Sequence, residues 1–235
     1  MDNDRVTRQG ENVWQARAAF YALFAHILSV PCSGAWGDEV FDLPMTEILQ
    51  DVAGDSGLAD MWRSIMDEAG AAGSAQRERY YGRLEECFQR NFLVPLPGQM
   101  IPLGAGAYLR DDQNQESRMA FFEGLYFEFS FDWRQVFAGT RCVWPNEPEH
   151  AVPVLTMLAV IAQKIATALA GDKDGRLPRY RHLLREIDTL AHPWLAQCLD
   201  RIASEAAEGF YRFFGAFMAR FLDVDREQWE LDVPA

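Results

Sequence analysis

A single stripe of apolar residues near the C-terminus constrains the fold of this chain more than any other feature. Between residues 193 and 222, apolar side chains recur in steps of three and four, which is the spacing of one helix face. The stripe consists of Leu195, Leu199, Ile202, Ala206, Phe210, Phe213, Phe217 and Phe221. His192-Pro193 is predicted to start this helix, since Pro is tolerated in a first turn. We expect Gly209 and Gly215 to weaken its middle.

The same spacing predicts helices along most of the chain. The predicted segments are 12–30, 38–53, 58–69, 74–92, 115–129, 152–169 and 176–190. No run alternates with period two between turn signals, and β-branched residues are sparse. We therefore expect an all-α protein, a single-domain bundle of roughly eight to twelve helices over residues 1–235. Residues 1–11 and 224–235 are expected to be mobile tails.

The charge balance of the chain is strongly acidic, with 35 Asp and Glu against 22 Lys and Arg, a net charge of −13. Such a surface repels phosphate groups, so neither nucleic acid nor a membrane is an expected partner, and a cationic partner is favoured. The alternative is that the acidity only keeps the protein soluble. The four cysteines are far apart and form no CxxC pair, and the N-terminus has no apolar signal segment. We therefore expect a soluble cytoplasmic protein.

Two long loops interrupt the helical pattern. The first, Val94–Ala107, contains three Pro and three Gly, and the second is Ala138–Pro148. Both are longer than most connections in a helical bundle. Both also carry apolar residues that solvated loops rarely need, such as Met100 and Trp144. They are candidate binding surfaces, and the alternative is that they cover core helices.

Sequence patterns typical of enzymes are absent, with one partial exception. The chain has no P-loop, no GxSxG elbow and no pair of His residues one helical turn apart. Asp111 and Asp112 resemble half of the metal-binding aspartate motif of all-helical prenyl-transfer enzymes, without its last acid or a second motif. The alternative is a solvated turn that caps the helix near Gln115. We expect a protein that is not an enzyme and holds no metal or cofactor; a helical metal-dependent enzyme using Asp111 and Asp112 is the alternative.

A more specific pattern is the run Trp144-Pro-Asn-Glu-Pro-Glu-His150, which leads directly into an apolar helix. It resembles the Glu-Pro-x-Asp-His signature of the TorD/DmsD/NarJ family of redox-enzyme maturation chaperones. Glu147, Pro148 and His150 fit that signature. Glu149 stands where the family has Asp, and the spacing is one residue shorter. The resemblance implies a TorD-like helical fold.

Weaker blocks elsewhere are similar to the same family. The Pro-rich loop runs into Gly106-Ala-Tyr108-Leu, which resembles the family's Ser/Gly-x-Tyr/Trp-Leu turn. In the first helix, Tyr21-x-Leu-Phe looks like a family position. The loose resemblance spans residues 12–222, and the run ending at His150 is its distinctive part.

The chemistry of that run suits an incoming arginine. Glu147 and Glu149 are carboxylates beside Trp144, and a guanidinium stacks on such a ring and donates two parallel hydrogen bonds to a carboxylate. The two prolines of the run stiffen the backbone. His150 either hydrogen-bonds a carboxylate or stays neutral beside the positive end of the following helix. The alternative is that both carboxylates only cap that helix.

The family resemblance implies a function for the whole chain. It implies a chaperone that binds the twin-arginine leader, and also the apoenzyme, of a molybdopterin-dependent redox enzyme, and delays export until the cofactor is inserted. The leader-binding residues would be Glu147, Pro148, Glu149, His150, Trp144, Tyr108, Pro102, Gly106 and Tyr21. The alternative within the same fold is a NarJ-like assembly chaperone for a redox subunit that is not exported. A monomer and a domain-swapped homodimer both fit the long loops.

Overall fold

The computed structural model describes residues 2–30, 49, 56–70, 74–93, 100–109, 114–133, 147–171, 175–207 and 209–231. The α-helices in these ranges are α1 (Asp2–Ser29), α2 (Ser56–Gly70), α3 (Ser74–Phe88), α4 (Gln115–Glu128), α5 (Ala151–Gly171), α6 (Leu177–Glu205) and α7 (Gly209–Leu231). A π-helical turn over Gln89–Leu93 follows α3, and Ala105–Ala107 forms a 3-10 turn. The prediction of an all-α protein is confirmed for the described ranges. The helix total and the TorD-like arrangement stay predictions.

Several helices begin and end close to their predicted positions. The segments predicted over 58–69, 74–92, 115–129 and 152–169 correspond to α2, α3 with its π turn, α4 and α5. The helix predicted over 38–53 falls almost entirely outside the described residues. Both predicted tails contain helix, since α1 begins at Asp2 and α7 continues to Leu231. Val224 and Asp225, at the start of the second tail, are buried.

Contacts along the chain divide it into two compact units of two segments each. Unit 1 consists of Met1–Ser29 and Leu103–Leu195, and unit 2 consists of Val30–Pro102 and Ala196–Ala235. The boundary in the C-terminal half therefore falls within α6. The prediction of one domain over residues 1–235 stays a prediction.

Unit 1 is built around α5, which packs along α1. The first three turns of α5, residues 151–162, are buried on nearly every side, as expected of a helix in the middle of a core, while Gln163, Lys164 and Thr167 are exposed. Its buried residues are Ala151, Val152, Pro153, Val154, Leu155, Met157, Leu158, Ala159, Ile161, Ala162, Ile165, Ala166 and Ala168. In the part of the chain that the structure describes, α5 is also the one helix long and apolar enough to cross a membrane. Its burial against α1 accounts for that composition.

Unit 2 has an aromatic core between α2, α3 and α7. The Trp62 ring of α2 lies 5.5 Å from Phe217 and 6.3 Å from Phe214, both on α7. At the other end of α7, the Tyr211 ring contacts Phe88 and Phe92 at 6.3 Å and 5.6 Å between centroids. Rings at these distances add about 0.5–1.5 kcal/mol per pair to the free energy of burial.

The predicted helix over residues 193–222 is wrong in its start. Pro193 lies inside α6 rather than at a helix N-terminus. A proline there removes one backbone hydrogen bond and costs about 3 kcal/mol or more. The neighbouring Trp194 and Leu195 side chains are buried, so packing along the helix offsets that cost.

The segment was predicted as one continuous helix, and this is also wrong. The helical conformation is interrupted at Ala206 and Ala207, between α6 and α7. The Asn91 Oδ1 atom accepts a hydrogen bond of 3.1 Å from the Ala207 N–H and so supplies a partner at the break. The break shifts the phase of the buried face. Phe213, a member of the predicted stripe, is 47% exposed, while Phe214 is buried.

Gly215 allows α7 to lie directly against the end of α6 within unit 2. A Cβ atom built on Gly215 would lie 2.8 Å from the Ala203 backbone N and 2.8 Å from the Ile202 Cγ2 atom. Contacts this short with backbone atoms leave no room for a methyl group. By contrast, a Cβ built on Gly82, on an exposed face of α3, meets nothing within 4 Å.

We therefore expect Gly215→Ala to lower the free energy of unfolding by about 1–3 kcal/mol, through overpacking. Gly82→Ala is the matched control and should raise that free energy by up to about 1 kcal/mol, since Ala is the better helix former. Urea denaturation followed by circular dichroism measures both. Equal stability of the two variants would contradict the close approach of α6 and α7.

Candidate functional site

The predicted binding run at residues 147–150 is joined to the Pro- and Gly-rich segment through the backbone. Three contacts make the junction: Ala105 N–H donates to Glu149 O (3.0 Å), Ala151 N–H donates to Leu103 O (2.8 Å), and Gly104 pairs with His150 in an isolated antiparallel bridge. We refer to residues 103–108 and 147–151 together as the corner. All of the corner belongs to unit 1. Parts of the two loops that were predicted as separate binding surfaces are thus hydrogen-bonded to each other.

Glu149 anchors the corner to α4 through a buried ion pair. The Arg118 Nε atom lies 2.6 Å from Glu149 Oε1, and Arg118 Nη2 lies 3.4 Å from Oε2. Only 7% and 5% of the two side chains is exposed. The chain's own guanidinium therefore makes the paired contact that was predicted for an arginine of the leader. Direct capture by Glu149 does not fit this geometry, because a foreign arginine would have to displace Arg118 from the interior.

Pro148 is held from the same helix by Tyr126. The Tyr126 hydroxyl donates a hydrogen bond of 2.8 Å to the Pro148 carbonyl oxygen, and both residues are buried. Burial, and then the negative charge of Glu149, raises the pKa of the Tyr126 hydroxyl well above its usual value. The hydroxyl therefore stays protonated and keeps donating at any physiological pH.

His150 caps the N-terminus of α5 as a neutral ring. Its Nδ1 atom accepts a hydrogen bond of 3.3 Å from the Val152 N–H, one of the donors that a helix start leaves without a helical partner. The side chain is 1% exposed, and burial lowers the pKa of His150 to about 3. Of the two roles predicted for His150, the structure therefore has the neutral ring beside the positive end of the helix.

Glu147 is the acid of the corner that remains accessible. Its side chain is half-buried, and it makes no hydrogen bond and no ion pair with any residue the structure describes. Partial burial, and then the nearby Glu149 charge, raises the pKa of the Glu147 carboxyl above its usual value. A Cβ on Gly104 would overlap Glu147 Oε2, so the glycine leaves space for this carboxylate.

The other predicted leader-binding residues divide into four groups. Gly106, which is exposed, and Tyr108, which is half-buried, belong to the corner. Tyr21 is buried on α1 and offers little surface to a ligand. Pro102 belongs to unit 2, where its carbonyl oxygen accepts a weak hydrogen bond of 3.6 Å from Cys198 Sγ. Trp144 lies outside the described residues.

The metal site considered for Asp111 and Asp112 also falls outside the described residues. Asn114, which follows them, is the N-cap residue of α4 and makes no side-chain capping hydrogen bond. Within the described ranges, no three His, Cys, Asp or Glu side chains are placed together so that they could hold a metal ion.

A cavity of about 680 Å³ opens at the C-terminal end of α4, within unit 1. Its acidic lining residues are Glu123, Glu128 and Asp132, and its aromatic lining residues are Tyr126, Phe127, Phe131 and Trp133, with Ser130 between them. We refer to it as the acidic-aromatic cavity. Tyr126 connects it to the corner, because this residue lines the cavity and its hydroxyl also holds Pro148.

The end of α4 shapes this cavity through a Schellman motif. The Phe131 N–H donates to Tyr126 O (2.8 Å) and the Ser130 N–H donates to Phe127 O (3.0 Å), while the Tyr126 and Phe131 rings lie 5.3 Å apart. Ser130 has a φ of +51°, a left-handed conformation that usually belongs to glycine and costs other residues about 1 kcal/mol or more. The turn directs the chain back past α4 and places Phe131 and Trp133 in the cavity wall.

No family model, no curated protein and no solved structure matches this chain. The geometry of the corner and the cavity, and the resemblance carried by residues 144–150, are therefore the features that bear on function.

Sequence reasoning missed Arg118 and the acidic-aromatic cavity, although both left a signal. Arg118 shares a helix face with Phe122 and Leu125, four and seven residues further on. An arginine within a buried stripe requires a buried acid, and Glu149 is that acid. Apart from Glu123, the cavity lining comes from the run Tyr126–Trp133. Aromatic and polar or acidic residues alternate after Phe127, a period-two pattern that the prediction of helices overlooked.

We expect the buried pair to be far more sensitive to substitution than an exposed one. Arg118→Met or Glu149→Leu alone should each cost about 3–5 kcal/mol of unfolding free energy, because each leaves one charge buried without its partner. The double variant should cost much less than the sum of the two. Arg179→Ala is the control, since the Arg179–Glu128 pair is 59% and 41% exposed and should be worth about 1 kcal/mol or less. Additive single effects would contradict the pairing.

The pKa of His150 predicts a dependence of stability on pH. The unfolded chain takes up a proton on this ring below about pH 6.5 and the folded chain only near pH 3. The stabilising contribution is therefore fully present above pH 6.5 and is lost at about 1.4 kcal/mol per pH unit as the pH falls toward 3. Chemical denaturation between pH 7 and pH 4 should show a shallower slope for His150→Asn than for the parent protein. Equal slopes would contradict a buried neutral His150.

Proposed function

We propose that this chain is a cytoplasmic chaperone that binds the twin-arginine leader of a redox enzyme and is not itself an enzyme. The observation that carries the proposal is Glu147, an accessible carboxylate that has no ion-pair partner among the described residues. It stands in the one segment that resembles the TorD/DmsD/NarJ signature.

The surroundings of Glu147 favour a cation. Its negative charge is partly removed from water and lies near the charge of Glu149, and both conditions make an isolated carboxylate unfavourable. A guanidinium at Glu147 would relieve both, and the net charge of −13 would attract it over distance. Glu149 and Arg118 take no direct part and keep the corner in place.

The rigidity of the corner supports a binding role. Contacts from Tyr126, Arg118 and the 103–105 segment hold the backbone around residues 148–150 before any ligand arrives. A site that is already ordered loses less conformational entropy when a flexible leader binds to it. Function then follows by occlusion, because a held leader does not engage the export machinery, and no covalent bond is made or broken.

Calorimetric titration of a leader peptide tests this function. We expect micromolar or tighter binding, roughly −8 kcal/mol, lost when Arg-Arg in the peptide is replaced by Ala-Ala. Glu147→Gln should weaken the Arg-Arg peptide about tenfold, since a hydrogen bond between charged groups is lost. Gly104→Ala should act in the same direction, because the added methyl displaces the Glu147 carboxylate.

Glu116→Gln is the matched control. Glu116 is an exposed acid in the first turn of α4, so this variant makes the same change of charge on the surface of unit 1. It should bind the leader as the parent protein does. Equal affinity for the Arg-Arg and Ala-Ala peptides would overturn the proposed function. Recovery of a redox subunit without a leader in a pull-down would favour the NarJ-like alternative.

A further inference from the structure

The acidic-aromatic cavity is an unexplained feature beside the corner. Its volume of about 680 Å³ lies in the range of ligand pockets, about 300–1,000 Å³. Phe127 in its lining is 87% exposed, whereas an aromatic residue on a helix of this length ordinarily faces the core. Ser130 in the same lining holds a left-handed conformation at an energetic cost.

The composition of the lining selects the chemistry of the occupant. Three carboxylates oppose an anionic ligand, and the C-terminus of α4 adds the negative end of its helix dipole. Aromatic rings beside carboxylates attract a flat cation, which stacks on a ring and donates hydrogen bonds to an acid at the same time. A guanidinium has this shape, while an ammonium has a compact, strongly hydrated charge.

The rim of the cavity already binds a guanidinium. The Arg179 Nη2 atom lies 2.6 Å from Glu128 Oε1, in a pair exposed to solvent. Glu123, on the same helix and in the same lining, has no hydrogen bond or ion pair with any described residue. The lining thus retains a carboxylate for a further guanidinium after Arg179 has taken Glu128.

From these observations we infer that the acidic-aromatic cavity is a subsite for an arginine side chain of the bound polypeptide, held between Phe127 and Glu123. The inference rests on the proposed function in one respect, that the arginine belongs to a leader. Because Tyr126 joins the cavity to the corner, one arginine of an adjacent pair would reach Glu147 and the other Glu123.

Titration with acetyl-arginyl-arginine amide tests the subsite without a leader. We expect saturable binding, loss of binding for the citrulline analogue, which has the same shape without the charge, and several-fold weaker binding for the lysine analogue. Glu123→Gln should weaken the arginine peptide about tenfold and Phe127→Ser about threefold. Both substitutions are at exposed positions of α4, so circular dichroism should show an unchanged fold.

Two controls match these variants. Glu116→Gln removes the same charge from the first turn of the same helix, and Phe213→Ser removes an exposed phenylalanine from α7. Both should bind the arginine peptide as the parent protein does. If Glu123→Gln and Phe127→Ser also bind it unchanged, or if the citrulline and arginine peptides bind equally, the inference is overturned.

The same variants separate this inference from the proposed function. If the full leader binds and depends on its Arg pair and on Glu147, but not on Glu123 or Phe127, the cavity inference fails and the leader function stands. If the arginine amide binds in a Glu123-dependent way while no leader binds, the subsite stands and the leader function fails. If neither ligand binds, both are wrong.

Discussion

The buried ion pair between Arg118 and Glu149 is the interaction on which the candidate site depends. It joins α4 to the turn that begins α5, and few other polar side chains are as deeply buried in unit 1. A buried pair of this kind adds little net stability compared with apolar packing, yet it is costly to break. The ion pair therefore determines where the turn at residues 147–150 packs on α4, and the hydrogen bond from Tyr126 to Pro148 holds the turn in that position.

This arrangement gives Glu147 and Glu149, which are two residues apart, opposite roles. Glu149 is neutralised by the chain itself and belongs to the framework, while Glu147, two residues earlier, stays half-exposed with no ion pair among the described residues. Burial, and then the charge of Glu149, raises the pKa of both Tyr126 and Glu147. An internal pair thus orients an external carboxylate and makes it a better partner for a cation.

The cavity lies at the end of α4, and the corner is held against the same helix. Tyr126 lines the cavity, and its hydroxyl holds the corner through Pro148. The Schellman turn around Ser130 places aromatic residues opposite the acids of α4. Accessible carboxylates and aromatic rings on one element have the chemistry to hold arginine, the side chain that the proposed function requires.

Helical periodicity determined the all-α class and the bounds of α2 to α5, because these depend on local spacing. The cationic partner expected from the net charge stays a prediction. The break before α7 escaped prediction, since Asn91 completes it from a distant part of the chain. The position of Pro193 inside α6 was not predicted either, because burial of the neighbouring side chains outweighs the low helix propensity of proline. The sequence alone does not distinguish Glu147 from Glu149, since both are glutamates in the same run. Only the tertiary structure decided which one is available, by placing Arg118, 31 residues earlier, against the second and not the first.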